Sequence, residues 1–439
     1  MRMKRSRLWI LVTLILTSLC VTTLRAEDGK DGKDRMEWFH KAKFGMFIHW
    51  GVYSVPAGEW KGNKNQAEWI MKNMKFSSGE YEKFAKQFNP VKFDAEAWAK
   101  LAKEAGMKYM VITAKHHDGF CMYDTKLTDY NIVKGSPYKR DPMKDLVKAC
   151  VENGLTFCFY YSVVDWHHPE FPAKYSQKGY HGNPNPKADM DKYVEYMQGQ
   201  VRELLTNYGP VGIMWFDGGG SFKGVDRVKL LHATALLDMI HEIQPKCLVN
   251  NRLEIGGDYG TPEQRIPGEK QETAFEVCMT LNRHWGYNKH DKEWKESPEV
   301  IQKLVDICSK GGNFLLNVGP TAEGRIPDDS IRILKEVGKW MDVNSESIYD
   351  TAASPLEEAP KWGRITAKPD KLYLHVFDWP KDQQVTVTGI TQKIKKAYLL
   401  ADKAAAPLEV KQLDNGFRVS LPSKAPDPTD SVIVVEYAD

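Results

Sequence analysis

Seven short runs rich in β-branched and aromatic residues recur along the first three quarters of the chain: GMFIHW (45–50), YMVITA (109–114), TFCFYYSVV (156–164), VGIMWF (211–216), CLVNN (247–251), FEVCM (275–279) and NFLLNV (313–318). Between them lie stretches whose apolar residues recur at helical spacing: Asp94–Glu104, Met143–Glu152, Tyr193–Leu205, Val228–Ile243, Glu299–Ser309 and Ile331–Met341. This alternation predicts parallel βαβ units. The runs are apolar on both faces, which fits strands covered by helices on either side. No G-x-G-x-x-G or P-loop glycine cluster follows the first run, so an open nucleotide-binding sheet is disfavoured. The expected architecture is α/β, a (β/α)8-like barrel of TIM type, irregular because seven strands are clear and one is ambiguous. Gly106, Gly154, Gly209 and Gly311 each follow a helical stretch, where a left-handed C-terminal cap is expected.

After Tyr349 the pattern changes to two-residue alternation in KLYLHVFDW, QQVTVTGI, KKAYLLA, GFRVSL and SVIVVEYA, with turn residues at Pro380-Lys381-Asp382 and Asp414-Asn415-Gly416. A small antiparallel β-sandwich is expected over 351–439, following a barrel over 27–350. Its expected role is to shield the barrel; the other reading is sugar binding through exposed aromatics such as Trp379.

Composition changes the picture mainly at the N-terminus. The 439 residues are 42% hydrophobic and 27% charged, as a globular chain should be, and 61 Lys+Arg against 58 Asp+Glu give a formal charge of +3. The segment MRMKRSR is strongly basic, Leu8 to Leu19 is almost unbroken apolar sequence, and Ala26 precedes Glu27-Asp28. That order reads as a secretory signal peptide over 1–26, with an apolar run short for a membrane span. The expected destination is the periplasm, the extracellular medium or, in a eukaryote, the lysosome. Loss of the segment removes five basic residues and leaves 56 basic against 58 acidic. No basic stripe remains, so nucleic acid is not an expected partner. Beyond Cys20, six widely spaced cysteines without a C-x-x-C pair are expected to be buried free thiols.

In a barrel the chemistry sits where strands end at their C-terminal side. Those ends here are His49-Trp50, Lys115-His116-His117-Asp118, Tyr161-Ser162, Trp215-Phe216-Asp217-Gly218, Asn251-Arg252, a position near Glu276, and Asn317. Asp217 stands between a rigid apolar strand and three glycines, where a ligand can approach closely. Trp215 shares its face and offers an aromatic platform for a sugar ring. His49, His116 and His117 permit two readings: metal ligands, or neutral imidazoles hydrogen-bonding a polyhydroxylated ligand. No H-x-H or H-E-x-x-H pattern supports the metal. Glycoside hydrolysis needs a second carboxylate, for which Glu68, Glu272, Glu276 and Glu323 are candidates that composition does not rank.

Taken together, KFGMFIHWG, AEWIMKNM, KYMVITAKHHDGF, FYYSVVDW, IMWFDGG, FEVCMTLNRHWGYN and GGNFLLNVGPTAEGRIP resemble the retaining α-L-fucosidase family of glycoside hydrolases, in order over about residues 36–345. The resemblance implies a barrel with a β-sandwich, an exo-acting hydrolase that removes terminal α-linked L-fucose from a fucosylated oligosaccharide or glycoconjugate, and no metal or cofactor. Carried over position by position, it implies that Asp217 is the nucleophile and Glu276 the general acid/base, with Glu272 next in line. It further implies that His49, His116 and His117 hold the sugar hydroxyls, with Glu68, Trp69, Tyr161, Trp215 and Arg252 as companions. Phe275 departs from the pattern, since Trp is expected before the acid/base. Two other classes stay open at this point, a metal-dependent barrel hydrolase and a sugar-binding protein without catalysis. The insertion 167–189 is expected to shape the leaving-group side.

Overall fold

A computed structural model describes the chain over residues 28–438, with side chains from residue 35. The signal peptide expected over 1–26 lies outside the described residues. Seven parallel strands occupy the seven expected positions: β1 (Phe44–Ile48), β2 (Tyr109–Lys115), β3 (Thr156–Ser162), β4 (Ile213–Asp217), β5 (Leu248–Val249), β6 (Glu276–Thr280) and β7 (Asn313–Val318). Their order in the sheet is β5-β4-β3-β2-β1-β7-β6.

The edges β5 and β6 are joined by the segment 258–264, which takes the place of the missing strand. The Asp258 N–H donates to Val249 O (2.7 Å), Glu276 N–H to Gly260 O (2.8 Å) and Gln264 N–H to Cys278 O (2.9 Å). This stretch, DYGTPEQ, reads as a turn because Gly260 and Pro262 interrupt any strand pattern. It fills the place of an eighth stave through the isolated bridges Asn250–Tyr259, Gly260–Phe275 and Glu263–Cys278, not as a regular strand.

Two-residue alternation sorts each strand between two cores. Phe47, Tyr109, Val111, Cys158, Tyr160, Ile213, Trp215 and Leu315 fill the barrel interior, while Met46, Ile48, Met110, Ile112, Phe159, Tyr161 and Phe216 face the surrounding helices. Those helices include Ala95–Glu104, Pro142–Glu152, Met190–Asn207, Ser297–Ser309 and Asp328–Asn344. Asp94, Asp141 and Asp189 cap the first three by accepting backbone N–H groups of the first turn. Gly106 (φ +84°) and Gly311 (φ +88°) take the expected left-handed conformation after theirs. The helix expected from Val228 is instead two, Arg227–Leu230 and Ala233–Ile243, broken where His232 adopts φ +47°. All six cysteines of the described chain are free and buried, as their spacing predicts.

The C-terminal unit is a sandwich of two antiparallel sheets. Its strands are β8 (Gly363–Lys368), β9 (Lys371–Val376), β10 (Gln384–Thr388), β11 (Ile394–Leu399), β12 (Val410–Leu413), β13 (Gly416–Ser420) and β14 (Ser431–Tyr437), ordered β10-β13-β12 and β11-β14-β9-β8. Leu374, Val385, Phe417 and Ile433 form its own core, while Tyr373, Val432 and Val434 join the barrel core. The Trp340 indole N–H donates to Asp430 O (3.1 Å) across the junction. Trp379 is no free platform: its indole N–H donates to Pro422 O (3.0 Å), and the ring packs against the sandwich core.

Candidate active site

The C-terminal ends of the strands open into a cavity of about 850 Å³. His49, Trp69, His116, His117, Trp215, Asp217 and Arg252 line it, as the sequence predicts, and Phe47, Tyr160, Glu263 and Trp285 join them.

Asp217 is the last residue of β4, its side chain 21% exposed at the cavity floor. Gly218 follows at φ +93°, and a Cβ there would come within 2.9 Å of Val164, so only glycine lets the chain turn away and leave the carboxylate facing inward. The Tyr160 hydroxyl donates to Asp217 Oδ2 (2.8 Å) and Arg252 Nη1 to Oδ1 (2.8 Å); His117 Nε2 lies 3.7 Å from Oδ2. Burial alone would raise the carboxyl's pKa. The Arg252 charge, together with the Tyr160 hydroxyl, outweighs it, and the net shift is downward. A unit-charge pair at about 3 Å and an effective dielectric near 20 is worth roughly 5 kcal/mol before desolvation, which explains why the arginine wins.

Arg252 is the electrostatic centre. Its Nη2 donates to Glu263 Oε2 (3.0 Å), its Nε donates to Thr261 Oγ1 (2.9 Å), and its guanidinium lies 4.8 Å over the Trp215 ring. One cation thus spans two carboxylates, Asp217 on β4 and Glu263 on the eighth stave.

The histidines are held as neutral acceptors. Ser162 donates its own hydroxyl proton to Val164 O (2.7 Å), so it accepts from His117 Nδ1 at 2.6 Å. Asn317 Nδ2 donates to Trp285 O (2.8 Å), which leaves its Oδ1 to accept from His49 Nδ1 at 2.7 Å. Both rings therefore carry hydrogen on Nδ1 and present an Nε2 lone pair, suited to a sugar hydroxyl proton. Burial lowers both pKa values to about 4. His116, also lowered by burial, stacks on Tyr160 with ring centroids 5.5 Å apart and planes 9° apart. Adjacent histidines on a strand would face opposite ways, but β2 ends at Lys115, so His116 and His117 both reach the cavity. Among the described residues no cluster of three or more His, Cys, Asp or Glu is arranged to hold a metal ion.

Three residues expected at the site lie outside the cavity. Tyr161 faces the helices, where its hydroxyl donates to Gln200 Oε1 (2.8 Å); Tyr160 takes the expected place. Parity decides this, since Tyr160 pairs with inward-facing Trp215 and Tyr161 with outward-facing Phe216. Glu68 is buried behind the wall and accepts the Gly286 N–H at 2.8 Å, bracing the loop that carries Trp285.

Glu276 is the first residue of β6, at the opposite end of the barrel from the strand ends that carry the cavity, and it is fully buried. Tyr109 donates its hydroxyl to Glu276 Oε2 (2.5 Å) and Trp215 its indole N–H to Oε1 (2.9 Å). Burial pushes its pKa up to about 7, the direction its apolar neighbours predict, but in a position beneath Trp215. Glu272 is exposed and outside the cavity, and Glu323 pairs with Lys92 at 2.6 Å on the surface. Glu263 and Trp285 line the cavity without a local signal in the sequence: both sit on segments with no periodic pattern, and only tertiary closure brings them in.

Comparison with known proteins shows the family. The Alpha-L-fucosidase family profile matches residues 23–346. The chain is 30% identical to alpha-L-fucosidase of Branchiostoma floridae over 94% of its length and 95% of the relative's. It is 32% identical to plasma alpha-L-fucosidase of Homo sapiens over 81% and 79%. Alpha-L-fucosidase isoenzyme 1 from Paenibacillus thiaminolyticus superposes with a TM-score of 0.84 at 40% identity, covering 93% of this chain and 100% of that one. An alpha-L-fucosidase from Bacteroides thetaiotaomicron, captured as a covalent intermediate with 2-fluoro-fucosyl fluoride, gives 0.84 at 32% identity, covering 92% and 96%. The matched profile and these relatives, with a carboxylate, three histidines and stacked aromatics at the mouth of a parallel barrel, place the chain in the alpha-L-fucosidase family of glycoside hydrolases.

Proposed function

We propose that this retaining α-L-fucosidase uses Asp217 as nucleophile and Glu263 as general acid/base. The observation that carries the assignment is Arg252, which holds both carboxylates at the cavity, while Glu68, Glu272, Glu276 and Glu323 lie outside it and Glu254, the other glutamate lining it, is paired with Arg227 instead. In the first step Asp217 attacks the anomeric carbon as Glu263 gives its proton to the glycosidic oxygen, and the aglycone departs. In the second, Glu263 takes a proton from water, water displaces Asp217 from the sugar, and fucose leaves with its configuration retained. Arg252 and Tyr160 keep Asp217 ionised and oriented before attack. His49 and His117 accept hydroxyl protons of the fucose, and Trp215 underlies its C–H face.

Glu276 acts one layer down in this reading, fixing Trp215 through its indole N–H. The substrate is a terminal α-L-fucoside of a glycan, a reading supported by the relatives' names as fucosidases and by a cavity whose lining includes the buried Phe47, His116 and Trp215. Among the described residues no helix is long and apolar enough to cross a membrane. Export through the 1–26 leader, with the 27–350 and 351–439 units as catalytic and accessory domains, completes the proposal.

The direct test is hydrolysis of an aryl α-L-fucoside followed by proton NMR. The first-formed sugar is expected to be the α anomer; early β-fucose would exclude double displacement. A second test concerns Tyr160. Its hydroxyl lowers the pKa of Asp217, so Tyr160→Phe should move the acid limb of kcat/KM to higher pH, because Asp217 then protonates sooner as pH falls. Activity at the optimum should fall about tenfold or more, the value of a hydrogen bond to a charged group. A pH profile superimposable on the wild type would contradict the role given to this contact.

A further inference from the structure

The cavity holds several times the volume of one deoxyhexose, and its mouth carries uncompensated positive charge. Lys174, Lys178 and Lys223 line it and are exposed. The first two belong to the Ala173–Gly179 part of the 167–189 insertion, and the third follows the Gly219–Ser221 turn just beyond Asp217. Each carboxylate that shares this cavity has an arginine partner, Glu254 with Arg227 and both Asp217 and Glu263 with the single Arg252, so three carboxylates face two guanidinium groups and the three lysines still leave the mouth net positive. Among the described residues none of the three lysines has a carboxylate within ion-pair distance. Lys174 rests over the ring of its neighbour Tyr175 at 4.9 Å. Lys72, whose ammonium lies 4.6 Å over the cavity-lining Trp69, is a fourth cation nearby; burial first and then the charge of Lys178 lower its pKa.

Clustering like charges is unfavourable, and the chain as a whole is nearly balanced at 61 basic against 58 acidic residues, so this mouth is not a sample of a generally basic surface. A neutral aglycone would leave the three ammonium groups facing water. An anionic one would meet them.

Resting on the fucosidase reading, we propose that the leaving-group subsites receive a fucosylated glycan whose aglycone bears an anionic group, a sulfate ester or a sugar carboxylate, held by Lys174, Lys178 and Lys223. The groups engaged are non-reacting ones, so the binding they supply acts on kcat/KM.

Three fucosylated trisaccharides test this on the full-length enzyme: a neutral one, the same one carrying a sulfate ester, and the same one capped with a sialic acid. At about 20 mM salt, kcat/KM for at least one anionic substrate should exceed that for the neutral one by roughly tenfold, the combined strength of three exposed ion pairs. Which anionic substrate gains distinguishes sulfate from carboxylate. The ratio should shrink towards one in about 0.5 M salt as the charges are screened. In the Lys174→Gln/Lys178→Gln/Lys223→Gln variant it should be near one at low salt. Equal kcat/KM on all three substrates in the wild type, or a ratio that the triple substitution leaves in place, overturns the inference. Calorimetric titration of the same glycans into the Asp217→Asn variant separates the two levels. Charge-selective binding with no hydrolysis by the wild type would sink the fucosidase reading and keep the lysine site, whereas hydrolysis without charge selectivity would do the reverse.

Discussion

Replacing Asp217 by asparagine should reduce turnover of an aryl α-L-fucoside by roughly 10³–10⁵-fold, because the amide keeps the shape of the carboxylate and loses the charge that attacks carbon. The variant should still fold. Its amide oxygen can accept the Tyr160 hydroxyl, and Arg252 keeps Glu263 as a charge partner at 3.0 Å. A thermal melt within a few degrees of the wild type is therefore expected beside the kinetic collapse. Asp217→Gly opens space for a small anion. Azide entering from the vacated side should restore part of the activity and yield the β-fucosyl azide, the inverted product. Asparagine-variant activity within tenfold of the wild type would remove Asp217 from the mechanism.

The second large effect separates two glutamates. Glu263→Ala should cost roughly 10²–10⁴-fold on a natural fucosyl glycan, whose leaving group needs a proton. It should cost far less in the first step with an activated aryl leaving group, and azide should then give the α-fucosyl azide by attack on the accumulated glycosyl enzyme. Glu276→Gln should behave differently. The glutamine oxygen can still accept the Trp215 indole N–H, so the loss should stay under about tenfold, be alike on both substrates and show no azide product. Leaving-group dependence and azide rescue at Glu276, with neither at Glu263, would return the acid/base role to Glu276. The anomer of the azide thus reports which residue was removed, independently of how much activity remains.

The contrast between these glutamates shows how far the sequence could be read. FEVCMT forms a strand as predicted, yet Glu276 opens that strand and Thr280 closes it. Strand ends near a catalytic rim differ by which end they are, and the wrong end puts a carboxylate under the aromatic floor. For Tyr160 and Tyr161 the signal was present: Asp217 and Trp215 face inward, so pairing across β3 and β4 selects Tyr160 by parity. Glu263 carried no such signal. Its Thr261-Pro262-Glu263 stretch looks like a turn and becomes a stave only because β5 and β6 flank it, with the Cys278 N–H donating to Pro262 O (3.1 Å) and the Gln264 N–H to Cys278 O.

The amino-acid sequence by itself determined the βαβ alternation, the seven strands, the trailing sandwich, the buried free thiols and Asp217 at the end of a strand. These follow from local periodicity and from glycine and aspartate chemistry, whose range is a few residues. The tertiary structure alone decided which carboxylate shares Arg252 with Asp217, which histidine nitrogen is free and which charges at the mouth are paired. Each depends on groups far apart in the chain, such as Arg252 reaching Asp217 and Glu263, or Asn317 fixing His49, and no local pattern encodes a contact made only when the barrel closes.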